Sequence, residues 1–236
     1  MVYLAAYGTR APLLALLGLR RLPNLVLVIA PYAATVPLAF AASDRLDPSA
    51  AAGVMALAVA PGPLFAPAVV SAAGGRRSDM AGALLLGTVI LSVVLVATRP
   101  AMGTAGLVAA QAFLIGSLVA GAMPTVRDRL AMPLRWAGRV AALVVVGLAA
   151  ASRPHIDAST VMLSLAAVVV TIVIAGAVAL ALRRDVLSAT AAAGTRDPIL
   201  AIALAWSTAG SSATAVPIVS AVILGIVATA VIFRRR

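Results

Sequence analysis

Gly194-Thr195-Arg196-Asp197-Pro198 stands in the middle of an otherwise apolar run, 186–208, and its reading decides what kind of chain this is. Proline removes a backbone donor and clashes with the preceding turn, so a helix carried through these residues should unwind. Charge at membrane depth is costly, which makes Arg196 and Asp197 functional suspects. A second run, 49–73, holds Ala60-Pro61-Gly62-Pro63 and then Pro67 at a similar depth. Unwound backbone is tolerable there only where protein or a water-filled cavity covers it.

Composition supplies the solvent. With 63% of 236 residues hydrophobic, 11% charged and a mean hydropathy of +1.12, little of the chain could face water. Apolar runs long enough to cross a hydrocarbon core of roughly 30 Å recur almost without pause. They cover 22–42, 49–73, 78–98, 101–123, 133–152, 158–182, 186–208 and 213–233, and a ninth, 2–19, carries Arg10 near its middle. Each is continuously apolar with no alternation, so the spans are helices and not barrel strands. The expected fold is an all-α, multi-pass membrane bundle.

The net charge of +11 does not point to nucleic acid, because the arginines sit in short breaks between apolar runs without interleaved aromatics. Thirteen of the 18 cluster in every second break, among them Arg20, Arg76, Arg127, Arg183 and the closing Arg234-Arg235-Arg236. The intervening breaks hold Arg45, Arg99 and Arg153. By the positive-inside rule the chain lies in the plasma (inner) membrane with its C-terminus in the cytoplasm. Cysteine, lysine and glutamate are absent, and the one histidine, His155, stands in the break before Asp157, so neither a metal centre nor a converging catalytic constellation is expected. No enzyme activity is read from the chain. Trp136 and Trp206 fall near span ends, where indoles anchor helices at the interface.

The two interrupted runs occupy matching places. Each is followed by one more helix, and the arginine pattern gives the two blocks opposite orientations. Paired broken helices in an inverted repeat mark the central site of a secondary transporter. Simple kinks between closely packed helices are the plainer alternative, but kinks leave the charged pair unexplained.

These residues resemble the bile acid:sodium symporter family. Pro61-Gly62-Pro63-Leu64-Phe65-Ala66-Pro67, followed by Gly75-Arg76-Arg77-Ser78-Asp79, is similar to the family's first discontinuous helix and its short charged link. Arg21-Leu22-Pro23, with Pro37-Leu38-Ala39-Phe40 further on, resembles the entry to its core domain, and Gly194-Thr195-Arg196-Asp197 the motif of its second discontinuous helix. The resemblance implies two crossing broken helices in a core domain and a panel domain that moves against it. It also implies an organic-anion substrate held near the midplane and driven by sodium.

On this reading 1–21 is a partial panel helix with an interfacial segment, 22–98 the first-repeat core, 101–152 the panel and 158–236 the second-repeat core. The short start is expected to mean either a compact variant, completed by a second copy in a homo-oligomer, or a sequence that lacks its true beginning. The departures from the family fall on the ion ligands. Ala66 and Pro67 stand where a serine and an asparagine are usual, Ala192 where a glutamate is, and Tyr32 near the place of a glutamine; Thr88 and Ser92 are the hydroxyls closest to those expected early in the next helix. Sodium needs several oxygen ligands, so proton-coupled or uncoupled transport is expected in its place, with Na+ or H+ as the only candidate coupling species and no other cofactor.

The candidate site therefore holds Pro61, Gly62 and Pro63 at the first break, Thr195, Arg196 and Asp197 at the second, and Tyr32 and Thr88 beside them. Arg196 offers a planar fork for a carboxylate or sulfonate, and Asp197 is either a proton carrier or the partner that neutralises Arg196. Ser207, Thr208, Ser211, Ser212 and Thr214 cluster near Gly210 and could line an outer vestibule, although ordinary turn and cap chemistry explains such clusters equally well. The rival function is a non-transporting membrane scaffold or a partner-dependent subunit.

Overall fold

The computed structural model describes residues 22–63, 66–72, 78–97, 111–112, 115–116, 118 and 122–234. The expected opening segment 1–21 and most of the span 101–123 lie outside the described residues. The described chain is an all-α membrane bundle. In order, its helices are α1 (Leu22–Ser43), α2 (Pro48–Val59), α3 (Ala66–Ala72), α4 (Ser78–Ala97), α5 (Pro124–Ala151), α6 (Ala158–Ala181), α7 (Val186–Ala189), α8 (Pro198–Ala209) and α9 (Ala215–Arg234). A wide π-type turn, Thr190–Gly194, extends α7, and a 3-10 turn, Ser211–Thr214, precedes α9.

Among the described residues, four stretches are individually long and apolar enough to cross a membrane: Leu22–Ser43, Asp128–Ala151, Ala158–Ala181 and Ser211–Val231. The helix expected over 133–152 begins earlier, at Pro124, and takes in Pro133. Arg127, Asp128, Arg129, Arg135 and Arg139 make its first half look like a loop by hydropathy. Proline at the first helical position starts it all the same, since that amide has no partner to lose.

Both interruptions occur where the sequence places them. The first separates α2 from α3 at residues 60–63, and the second separates the π turn from α8 at 195–197. α2 and α8 are 12 residues each, about 18 Å and so roughly half a bilayer core. The contacts repeat in pairs. α1 packs on α2 and α4 as α6 packs on the π turn and α9; α3 packs on α4 as α8 packs on α9; α2 meets α9 as the π turn meets α4. α1 and α6 lie against each other between the two units. Leu27 and Val28, early in α1, share a core cluster with Ala179, late in α6, and one cavity takes walls from Leu38 and Ala42, late in α1, and from Leu163 and Ala166, early in α6, so these helices run antiparallel and the repeat is inverted.

Aspartates start the helices. Asp47 caps α2 through the amides of Ser49 and Ala50, Asp157 caps α6 through Thr160, Asp185 caps α7 through Ser188, and Asp197 caps α8 through Ile199 and Leu200. Each carboxylate satisfies amides that the first turn leaves orphaned, a contribution of about 1 kcal/mol per cap. About half of the described buried apolar residues are alanines, among them Ala56, Ala60, Ala66, Ala175, Ala189, Ala192 and Ala201, packed with larger side chains such as Leu27, Leu84 and Ile202, while Leu22, Met132, Leu143, Leu180 and Phe233 stay exposed. The alanine contacts suit helices that associate in lipid by close backbone approach.

Candidate functional site

The two breaks touch at the centre of the bundle. The Asp197 amide donates to the Pro61 carbonyl at 2.6 Å. Gly62 lies so close to the π turn that a Cβ there would sit 1.9 Å from the Ala192 carbonyl oxygen, and one at Gly194 would sit 2.8 Å from the Ala175 Cβ. Only glycine permits these approaches.

Around the first break every polar group shown has a partner. The Gly62 amide donates to the Thr88 hydroxyl oxygen at 2.9 Å, and that hydroxyl donates to the Leu85 carbonyl at 2.8 Å. The Tyr32 hydroxyl shares its proton between the carbonyls of Ala60, 2.8 Å away, and Thr88, 3.1 Å away. The Pro63 carbonyl accepts from the Ala66 amide at 3.0 Å.

The second break divides its two charges. Asp197 is 1% exposed, and its Oδ1 accepts from the amides of Ile199 at 2.9 Å and Leu200 at 3.1 Å. Arg196 leaves in another direction and lays its guanidinium over the Tyr32 ring, 3.7 Å from the centroid. Such stacking in a desolvated site is worth about 2 kcal/mol. Its remaining polar contacts are long: 3.5 Å from Nη1 to the Ala193 carbonyl and 3.5 Å from Nη2 to the Thr35 hydroxyl, which itself donates to Pro31 at 2.6 Å. Its Nε has no hydrogen-bond partner, and no carboxylate among the described residues pairs with it, although the residue is only 3% exposed. Arg196 and Asp197 are thus not a self-neutralised pair. The backbone is extended through Thr195 and Asp197, and extended residues send successive side chains to opposite sides.

Arg196 forms part of the wall of a cavity of about 160 Å³ between α1, α2 and α6. Leu38, Ala39, Val54, Leu57, Ala58 and Val168 make the rest of the wall largely apolar, with hydroxyls from Thr35, Thr171 and Thr195. The sequence reading missed Thr35 and Thr171. Both are hydroxyls in apolar runs, and Thr35 lies one turn beyond Tyr32, a weak sign of a shared face.

A second cavity of about 530 Å³ opens at the end of the bundle where Asp47, Ser49, His155, Asp157, Ser159 and Ser212 meet. Three donors from Thr160 and Ser159, the Thr160 amide first, hold the Asp157 carboxyl down to about 2, and the Ser49 hydroxyl heads the donors that hold Asp47 low. A third cavity, of about 180 Å³, lies towards the other end between α3, α6, the π turn and α9.

Among the residues expected at the site, the structure brings together Tyr32, Pro61, Gly62, Thr88, Arg196 and Asp197, with Pro63 buried beside them. Ser207 and Thr208 lie apart and return their hydroxyls to the Leu204 carbonyl. The Ser211 carbonyl accepts from Thr214, and Ser212 lines the end cavity. Among the described residues no three histidines or aspartates converge on a metal position. No model of a known protein family matches the chain, and no characterised protein matches it either.

Proposed function

We propose that the chain is a carrier of small organic anions, with Arg196 as the seat of the anionic group. One observation supports this above the others: a guanidinium 97% shielded, stacked on Tyr32, with no carboxylate paired to it among the described residues and its Nε unpartnered. A buried cation of this kind is costly unless something completes its shell. A carboxylate or sulfonate does so bidentately, and the apolar wall suits the body of a singly charged, amphipathic molecule.

The inverted repeat and the crossed broken helices support alternating access, with the anion near the midplane. On the same reading the chain resembles the bile acid:sodium symporters in architecture and lies in the plasma membrane, its arginine-rich end in the cytoplasm and the Asp47–His155 end outside. Oxygens that could have served sodium are engaged: the Thr88 hydroxyl with Gly62 and Leu85, and Oδ1 of Asp197 with its cap. Sodium-independent transport is the expected mode.

The test is thermal stabilisation of the purified protein by benzoate and other carboxylates, with and without sodium and at two pH values. Binding to the folded state alone raises the midpoint by mass action, about 2.7 kcal/mol at a hundredfold excess over Kd. Stabilisation without sodium supports the carrier; a sodium requirement would restore symport. No response to any anion would favour the scaffold.

A further inference from the structure

The cavities form a series. The end cavity and the Arg196 cavity share Leu163, and the Arg196 cavity and the third cavity share Thr195 and Leu224. Cavity walls therefore run from one end of the bundle towards the other, with half-buried Leu163 between the first two chambers and Thr195 with the buried Leu224 between the second and the third.

We infer that Thr195 of the second break and Leu224 of α9 form the septum that closes the anion chamber from the opposite half of the molecule, and that displacement of Leu224 opens it. The inference rests on the carrier reading. Leu224 is buried at 4% exposure, an apolar plug of the kind that bars a charged solute by leaving it unsolvated. Thr195 is held in place by its own turn, its hydroxyl donating to the Ala191 carbonyl at 2.7 Å. That contrast makes Leu224 the movable half.

α9 has a soft point beside it. Gly225 follows directly, in open surroundings where a Cβ would meet nothing within 4 Å, so close packing does not account for a glycine there. The Thr229 hydroxyl donates to the Gly225 carbonyl at 2.8 Å, a back-bond that tends to bend helices. The two chambers also differ in charge. Arg196 lines the first, whereas the third is lined by apolar residues and the hydroxyls of Thr190 and Thr195. An anion passing the septum thus leaves its cation behind, and the barrier is electrostatic as well as steric.

The chain contains no cysteine, so a single introduced thiol reports alone. Ala39→Cys places one in the Arg196 chamber and Ala228→Cys one in the third chamber. Right-side-out and inside-out vesicles are treated with a membrane-impermeant methanethiosulfonate, with and without benzoate. The two thiols should react from opposite faces, with benzoate protecting Ala39→Cys. Adding Leu224→Ala or Thr195→Ala should then speed labelling of Ala228→Cys from the Ala39 face by about tenfold or more, the effect of removing roughly 1.4 kcal/mol of barrier.

Unchanged slow labelling in both double variants, with Ala39→Cys still reactive and protected, would overturn the septum and leave the carrier standing. Rapid labelling of Ala228→Cys from both faces before any septum change would also overturn it. If Ala39→Cys reacts from neither face, the chamber is not reached from outside the bundle, and the septum falls with the carrier.

Discussion

Pro61-Gly62-Pro63 and Thr195-Arg196-Asp197 lie against each other at the centre of an inverted repeat, and the protein treats their polar groups in opposite ways. Around the first break, donors and acceptors from Tyr32, Thr88, Ala66 and Asp197 meet the exposed backbone, and Gly62 lets the second break approach. At the second break Asp197 is committed to capping α8, while Arg196 is carried into an apolar chamber with part of its hydrogen-bonding capacity unused. Symmetric architecture supplies two openings in the helical ladder. One is filled by scaffold, and only the other carries a charge into a chamber.

The comparison breaks most severely at Gly62. Gly62→Ala drives a methyl into the Ala192 carbonyl, and the crossing must part; a loss of about 3 kcal/mol, the upper end for overpacking, is expected in thermal unfolding. Thr88→Val keeps the shape and removes the acceptor for the Gly62 amide, which should cost about 2 kcal/mol by the same measurement. If the valine variant unfolds like the parent, the first break is not a satisfied scaffold.

Arg196→Met probes the other side. Benzoate-dependent stabilisation should weaken by about tenfold in apparent Kd, roughly 1.4 kcal/mol, while stability without ligand holds or rises because a buried, unpaired charge is gone. A variant that melts early yet still responds to benzoate would make Arg196 structural. Asp197→Ala should lower stability by about 1 kcal/mol, and Asp197→Asn by much less, since asparagine caps helices almost as well. Equal losses in the two would show that the charge, not the cap, is what matters there.

The smallest effect lies at the bundle end. Asp157 is held at about 2 against an ordinary 3.8 by the Thr160 amide and the Thr160 and Ser159 hydroxyls. A carboxyl whose folded value is depressed contributes stability above the unfolded value and loses it as pH falls towards the folded one. The melting temperature should therefore gain an acid limb between about pH 4 and pH 2 that Asp157→Asn reduces. An identical limb in the variant would assign the acid loss elsewhere.

Both breaks were legible because proline and glycine mark the backbone wherever they stand, and Arg196 because a lone cation is conspicuous in an apolar run. Asp197 was harder to read, since adjacency in sequence suggests pairing in space, whereas extended backbone separates the two side chains. A better clue was already present: Asp-Pro occurs at 47–48 as well as at 197–198, and both times opens a 12-residue half-helix. Thr35 and Thr171 join the site only through the antiparallel meeting of α1 and α6, a long-range fact that no local pattern carries. The early start of α5 was hidden because hydropathy weighs its arginines and overlooks Pro124.

The alanine share of the interior has a thermodynamic meaning. Ordering an alanine freezes no side-chain torsion, whereas each leucine fixed in a core surrenders about 0.5–1 kcal/mol of rotamer entropy. Leu22, Leu143 and Leu180, turned outward, keep that freedom among fluid acyl chains. Where these alanines face one another the packed centre orders backbone and little else, whereas buried Leu27, Leu84 and Ile202 are the points at which rotamers must unlock before a helix changes register.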